Sequence, residues 1–110
     1  MEKLWNVIIK PIIEGVNSKN IVEIGSEDGI NTKNILEYCQ DNNARMIAID
    51  PFPNFDLDKL KNKYGDKFVF YQDLSLNILP LLKDYDTILI DGDHNWYTVY
   101  NELKVIESNE

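Results

Sequence analysis

Residues 21–32, IVEIGSEDGINT, restrict the fold of this chain more than any other stretch. Ile21, Val22 and Ile24 form a short apolar run that reads as a buried strand, and Gly25 and Gly29 read as a turn opening into a helix. Where a strand meets a helix in this way the backbone is bare, and such a junction suits a ligand. The flanking sequence alternates in the same manner, so the natural expectation is a parallel sheet with right-handed helical crossovers.

Leu4, Trp5, Ile8, Ile9, Ile12, Ile13 and Val16 recur at three- and four-residue spacing, which predicts an amphipathic helix over residues 2–17, kinked at Pro11, with Trp5 in the core. A helix over 31–41 should turn Ile35, Leu36 and Cys39 inward, with Asn31 or Thr32 near its cap. Strands follow at 46–49, 68–71 and 87–90. Between them lie a helix at 56–64, closed by Gly65, and a leucine-rich crossover at 74–82 interrupted by Pro80. The last helix, 95–107, should face the sheet with Trp96, Val99, Tyr100, Leu103 and Ile106. Trp96, Tyr97 and Tyr100 are better explained as packing than as a substrate cage.

The expected architecture is α/β: a three-layer Rossmann-like domain over residues 1–110, with an N-terminal helix at 2–17 and a core at 21–107. Its parallel strands run in the order 3-2-1-4, with helices on both faces. That order opens a crevice at the carboxyl ends of the first and fourth strands. The loop 25–29, Asp50, Asp73 and the turn 91–94 each follow a strand directly, so all of them border the crevice.

Charge and cysteine content narrow what the crevice serves. A formal charge of −8, with basic residues scattered, argues against nucleic acid or an anionic membrane as the main partner. Cys39 is the only cysteine, which excludes an intrachain disulfide and makes a cytoplasmic compartment the simplest expectation. No apolar run approaches the roughly 18 residues of a membrane span, and residues 1–13 lack the pattern of a secretory signal.

Two nucleotide patterns compete for the first loop. G-x-G-x-x-G needs glycine at 25, 27 and 30 and finds Gly25, Glu27 and Ile30, whereas acidic-x-G-x-G-x-G finds Glu23, Gly25, Glu27 and Gly29. A pyrophosphate would also meet Glu27 and Asp28, and like charges at ~4 Å cost between ~1 and ~4 kcal/mol. A cationic ligand escapes that repulsion. The same two acids could instead complement the positive end of the following helix.

The segments VEIGSEDG, IAIDPFP and TILIDGDHNWYTVYNEL together resemble three motifs, in order, of the class I S-adenosylmethionine-dependent methyltransferases. The nearest likeness is to the small-molecule O-methyltransferase branch with a D-G-D-H turn, although Glu27 stands where many members have glycine. The resemblance implies S-adenosylmethionine as cofactor, with Glu23, Gly25, Ser26 and Gly29 framing its methionine and ribose portions. Asp50 would take the ribose hydroxyls, and Asp73 would face the adenine amino group. As ordinary structure, Asp50 is a turn residue before Pro51 and Asp73 a helix cap. Asp91 would border the cofactor and bind a divalent cation such as Mg²⁺, and His94 would serve as general base toward a small-molecule acceptor. His94 and Asn95 could equally cap the last helix.

Members of the resembled family continue with further strands, so on that likeness the domain is truncated after its fourth strand and helix. Strand 87–90 would then be an apolar edge, covered by a second copy of the chain in a homodimer, by the last helix, or by a missing segment. The readings that remain open are a methyltransferase or its cofactor-binding half, a catalytically idle nucleotide-binding or assembly module, and a NAD-dependent oxidoreductase fragment.

Overall fold

The computed structural model describes residues 9–26 and 29–90. Four parallel strands, β1 (Asn20–Ile24), β2 (Arg45–Ile49), β3 (Phe68–Tyr71) and β4 (Thr87–Ile90), form a sheet in the order β3-β2-β1-β4. Helix α1 (Lys10–Val16) leads into β1, and α2 (Ile30–Asn42) connects β1 to β2. Helix α3 (Leu57–Tyr64) and a 3-10 turn at Gly65–Lys67 connect β2 to β3. A one-turn helix α4 (Ser75–Ile78) and a 3-10 turn at Leu79–Leu81 connect β3 to β4. The α/β Rossmann-like fold and its strand order are therefore those expected from the sequence.

Alternation along each strand sends side chains to two layers. On one face Ile21, Met46, Ala48 and Phe68 meet Ile35, Leu36 and Cys39 of α2, Leu60 and Tyr64 of α3, and Ile13 of α1. On the other, Val22, Ile24 and Ile49 meet Ile78, Leu79 and Leu82. Burial on both faces is why the central strands read as continuous apolar runs. Among the described residues β4 pairs with β1, and all four of its residues are half-buried. Its start is held by Asp86, whose carboxylate accepts the N–H groups of Lys19 (2.8 Å) and Asn20 (3.2 Å).

The first helix differs from its expected form. Ile12 is 58% and Val16 65% exposed, and among the described residues of this segment Ile13, with Ile9 beside it, packs on the core. A seven-residue helix touches the layer beneath through one turn, so a single i, i+4 pair suffices to seat it. Pro11 stands in its first turn, where the missing N–H has no partner to lose. Tyr38 fixes the exit from this helix by donating its hydroxyl to the Ser18 carbonyl at 2.8 Å. Burial holds the Tyr38 phenol above its usual pKa. Trp5 and the expected helix 95–107 with its aromatic residues lie outside the described residues.

Leu36 has no exposed surface, so Leu36→Ala should cost about 2–5 kcal/mol in urea unfolding. Burial also pushes the Cys39 thiol up to about 12 against a small opposing pull from Lys67. The thiol therefore stays protonated in the folded chain at pH 8.5, where an unfolded cysteine is about half ionised. Alkylation at that pH should proceed only as fast as the chain opens, and a rate matching that of a free thiol would contradict the placement.

Candidate functional site

At the carboxyl end of β1, Gly25 takes a φ of 85° and donates its N–H to the Ile49 carbonyl at 2.8 Å, which extends the β1–β2 ladder by one residue. Gly29 closes the loop with a φ of 80°. Its N–H donates to the Ser26 carbonyl at 2.9 Å, and its own carbonyl accepts the Lys33 N–H at 2.9 Å. A Cβ on Gly29 would lie 2.6 Å from the Phe55 ring, so both backbone conformation and space require glycine there.

Gly29 itself is the N-cap of α2, in place of the expected Asn31 or Thr32. Those two side chains point inward from the first turn. The Thr32 hydroxyl donates to the Glu23 carboxylate, with both residues fully buried, so strand and helix are tied together beneath the loop. Asn31 and Ser26 are each 4% exposed, yet Asn31 Nδ2, Asn31 Oδ1 and Ser26 Oγ have no hydrogen-bond partner among the described residues. Buried polar groups are nearly always satisfied, so three such atoms at one glycine loop make it the candidate place for a polar ligand.

Asp50 ends β2 and is buried. Its Oδ1 accepts the Phe52 N–H at 2.8 Å, and its N–H donates to the Tyr71 carbonyl at 3.2 Å, which fixes the carboxylate at the strand end. Phe52 follows with its ring 84% exposed. Asp73, one strand further, accepts the Leu74 N–H at 2.7 Å and the Asn77 side-chain N–H at 2.9 Å through Oδ1. The Asn77 bond first, and the Leu74 bond second, hold this carboxyl below its ordinary pKa. What these bonds contribute to stability is therefore complete above the ordinary carboxylate range and fades as pH falls through the lowered value.

The structure thus gathers Glu23, Gly25, Ser26, Gly29 and Asp50 at the carboxyl ends of β1 and β2, with Asp73 beyond β3 and serving as the cap of its own turn. Glu27, Asp28, Asp91 and His94 lie outside the described residues. Asp91 follows Ile90, which pairs with Ile24 at the end of β1. Among the described residues no group of three or more His, Cys, Asp or Glu side chains is arranged to hold a metal ion. Phe52, Phe55 and the orphaned side chain of Asn31 are additions to the sequence-based site. Asn31 carried a usable signal, because it lies four residues before Ile35 on the inward stripe, where a polar residue is out of place.

Gly29→Ala should destabilise the chain by about 1–3 kcal/mol through its left-handed φ, with a steric addition from Phe55. A double-mutant cycle with Phe55→Leu should recover the steric part, and strict additivity would place the whole cost in the backbone.

Comparison with known protein families finds that one described as a methyltransferase domain matches residues 22–108, most of the chain. No curated protein matches it.

Proposed function

The chain belongs to the methyltransferase domain family, and from that premise we propose that it transfers the methyl group of S-adenosylmethionine to a hydroxyl of a small molecule or sugar. S-adenosylmethionine is the usual cofactor of such domains, and bound here it would supply a methyl group activated by a sulfonium centre. The observation that carries the reading is the set of buried, unpartnered polar atoms on Ser26 and Asn31, set into a glycine loop beside the buried carboxylate of Asp50. These residues fit an adenosyl ligand, which is polar along the amino acid and ribose and flat and apolar at the base.

Each side chain has a distinct task in this reading. Gly25 and Gly29 leave the two ends of the loop without a Cβ, so that a ligand can lie against the backbone there. Ser26 and Asn31 offer a hydroxyl and a carboxamide from below. Asp50 is an acceptor for ribose hydroxyls, and the exposed Phe52 ring beside it offers a face for the base. Asp73 retains a second oxygen toward the adenine amino group while the first caps the turn. His94 takes the acceptor's proton, and Asp91 borders the cofactor or holds Mg²⁺. Methyl transfer needs little beyond in-line placement of the acceptor oxygen and removal of its proton.

Calorimetry with S-adenosylhomocysteine and NAD tests the cofactor. The adenosyl ligand should bind, and Asp50→Ala should weaken it by about 1.5–3 kcal/mol, the value of hydrogen bonds to a charged group. Binding of NAD alone would overturn the reading. Turnover over a panel of hydroxylated acceptors should collapse in His94→Ala while the adenosyl affinity holds. Loss of turnover on chelation would assign Mg²⁺ to Asp91, and adenosyl binding without turnover of any acceptor would point to an idle cofactor-binding module. β4 is proposed to pair with a second copy of the chain, and light scattering that gives a monomer would exclude this.

A further inference from the structure

The connection from β3 to β4 is short, and its apolar residues Ile78, Leu79 and Leu82 bury Val22, Ile24 and Ile49 on the second face of the sheet, with Ile47, Ile88 and Ile90 packed at the margin. β3 is not reached. Val69 is 39% and Tyr71 38% exposed, although they pair in register with Ile47 and Ile49. A groove of about 210 Å³ runs over this half-face, floored by Val22, Ile47, Val69 and Tyr71. Lys83 and Asp84, of opposite charge, and Tyr85 also line it, and the Tyr85 hydroxyl is shielded from solvent with no hydrogen-bond partner among the described residues.

Toward the amino ends of the strands the lining becomes cationic. Arg45 stands in register with Asn20 and donates its Nε to the Asn20 Oδ1 at 3.2 Å. Lys67, just before β3, donates to Asn43 Oδ1 at 3.2 Å. Asn20 and Arg45 line the apolar groove and also a second one of about 360 Å³, which holds Lys19, Lys67 and a single acid, Asp66. The two grooves therefore share a border. In a chain of charge −8 this is a local excess of positive charge. The negative end of α2 accounts for Lys19, whose ammonium donates to the Asn42 carbonyl. It does not account for Arg45, which lies on the open sheet face and has donors beyond the one given to Asn20.

We propose that this half-face binds an amphipathic phosphate monoester, its apolar body on Ile47, Val69 and Tyr71 and its dianionic head between Arg45 and Lys67. Charge selects this occupant over others. An uncharged segment would gain nothing from the net positive border, where Lys19, Arg45 and Lys67 outnumber Asp66, and a second copy stacked face to face would set like charges together. A flat anionic membrane matches neither the concave floor nor the overall negative charge. Its polar border lies at the opposite strand ends from the glycine loop, while its apolar floor runs to Tyr71 at the carboxyl end of β3.

The test is a titration of the full chain with octyl phosphate, kept below its micelle-forming concentration, followed by backbone amide shifts, with inorganic phosphate and octanol in parallel. Saturable shifts at Ile47, Val69, Tyr71 and Tyr85 are expected, with an affinity at least roughly tenfold above that for either half-ligand. The Arg45→Ala, Lys67→Ala double variant should lose roughly tenfold, and Val69→Glu should remove binding while circular dichroism stays unchanged. Equal affinity for octanol, indifference to the double variant, shifts confined to the loop 25–29, or binding to anionic vesicles alone would each overturn the proposal.

Discussion

The contact between Glu23 and Thr32 sets the shape of everything above it. A carboxylate at the centre of a buried strand costs several kcal/mol unless a donor reaches it, and the Thr32 hydroxyl is such a donor, supplied by the first turn of the next helix. The bond consequently ties the end of β1 to the start of α2. With its two ends pinned, the short loop between them must turn sharply, which is why Gly25 and Gly29 both adopt positive φ and why the Phe55 ring can lie directly on Gly29. A pair of side chains shut off from solvent therefore shapes a backbone surface that is open to a ligand.

The parallel ladder then sorts chemistry to the two ends of the sheet. Staggered hydrogen bonds continue past the strands at their carboxyl ends, from Gly25 to Ile49 and from Asp50 to Tyr71, and bring the loop and the carboxylate into line. The same stagger operates at the amino ends, where Arg45 donates to the Lys19 carbonyl and Asp86 to that of Asn20. The cationic grooves and the polar loop are thus opposite ends of one hydrogen-bonding pattern. Separation along the strands lets the molecule hold an acidic end and a basic border with little mutual compensation.

Strand positions, strand order and the gathering of Gly25, Gly29 and Asp50 are legible in the sequence because they follow from period, turn residues and the handedness of crossovers. β3 and β4 fall at the expected residues, and β1 and β2 begin one residue early. The first helix is less legible. Spacing alone makes Ile12 and Val16 inward, but how wide a stripe is buried depends on how much of the layer beneath the helix covers, and that is a tertiary quantity. Asp73 is ambiguous for a different reason, since a carboxylate has enough lone pairs to cap its own turn and still face a ligand.

Asn31 and Thr32 show where reading a sequence by pattern stops. Both are polar, both are buried, and both lie in the first turn of α2, so no local rule separates them. Their fates diverge because Thr32 meets a carboxylate nine residues earlier on the adjoining strand, whereas Asn31 meets no hydrogen-bond partner among the described residues. Each unsatisfied group of that kind costs about 1–3 kcal/mol. In the proposed reading that cost is held at the glycine loop and relieved when a polar ligand arrives, so that one interaction lowers the stability of the free chain and raises its affinity.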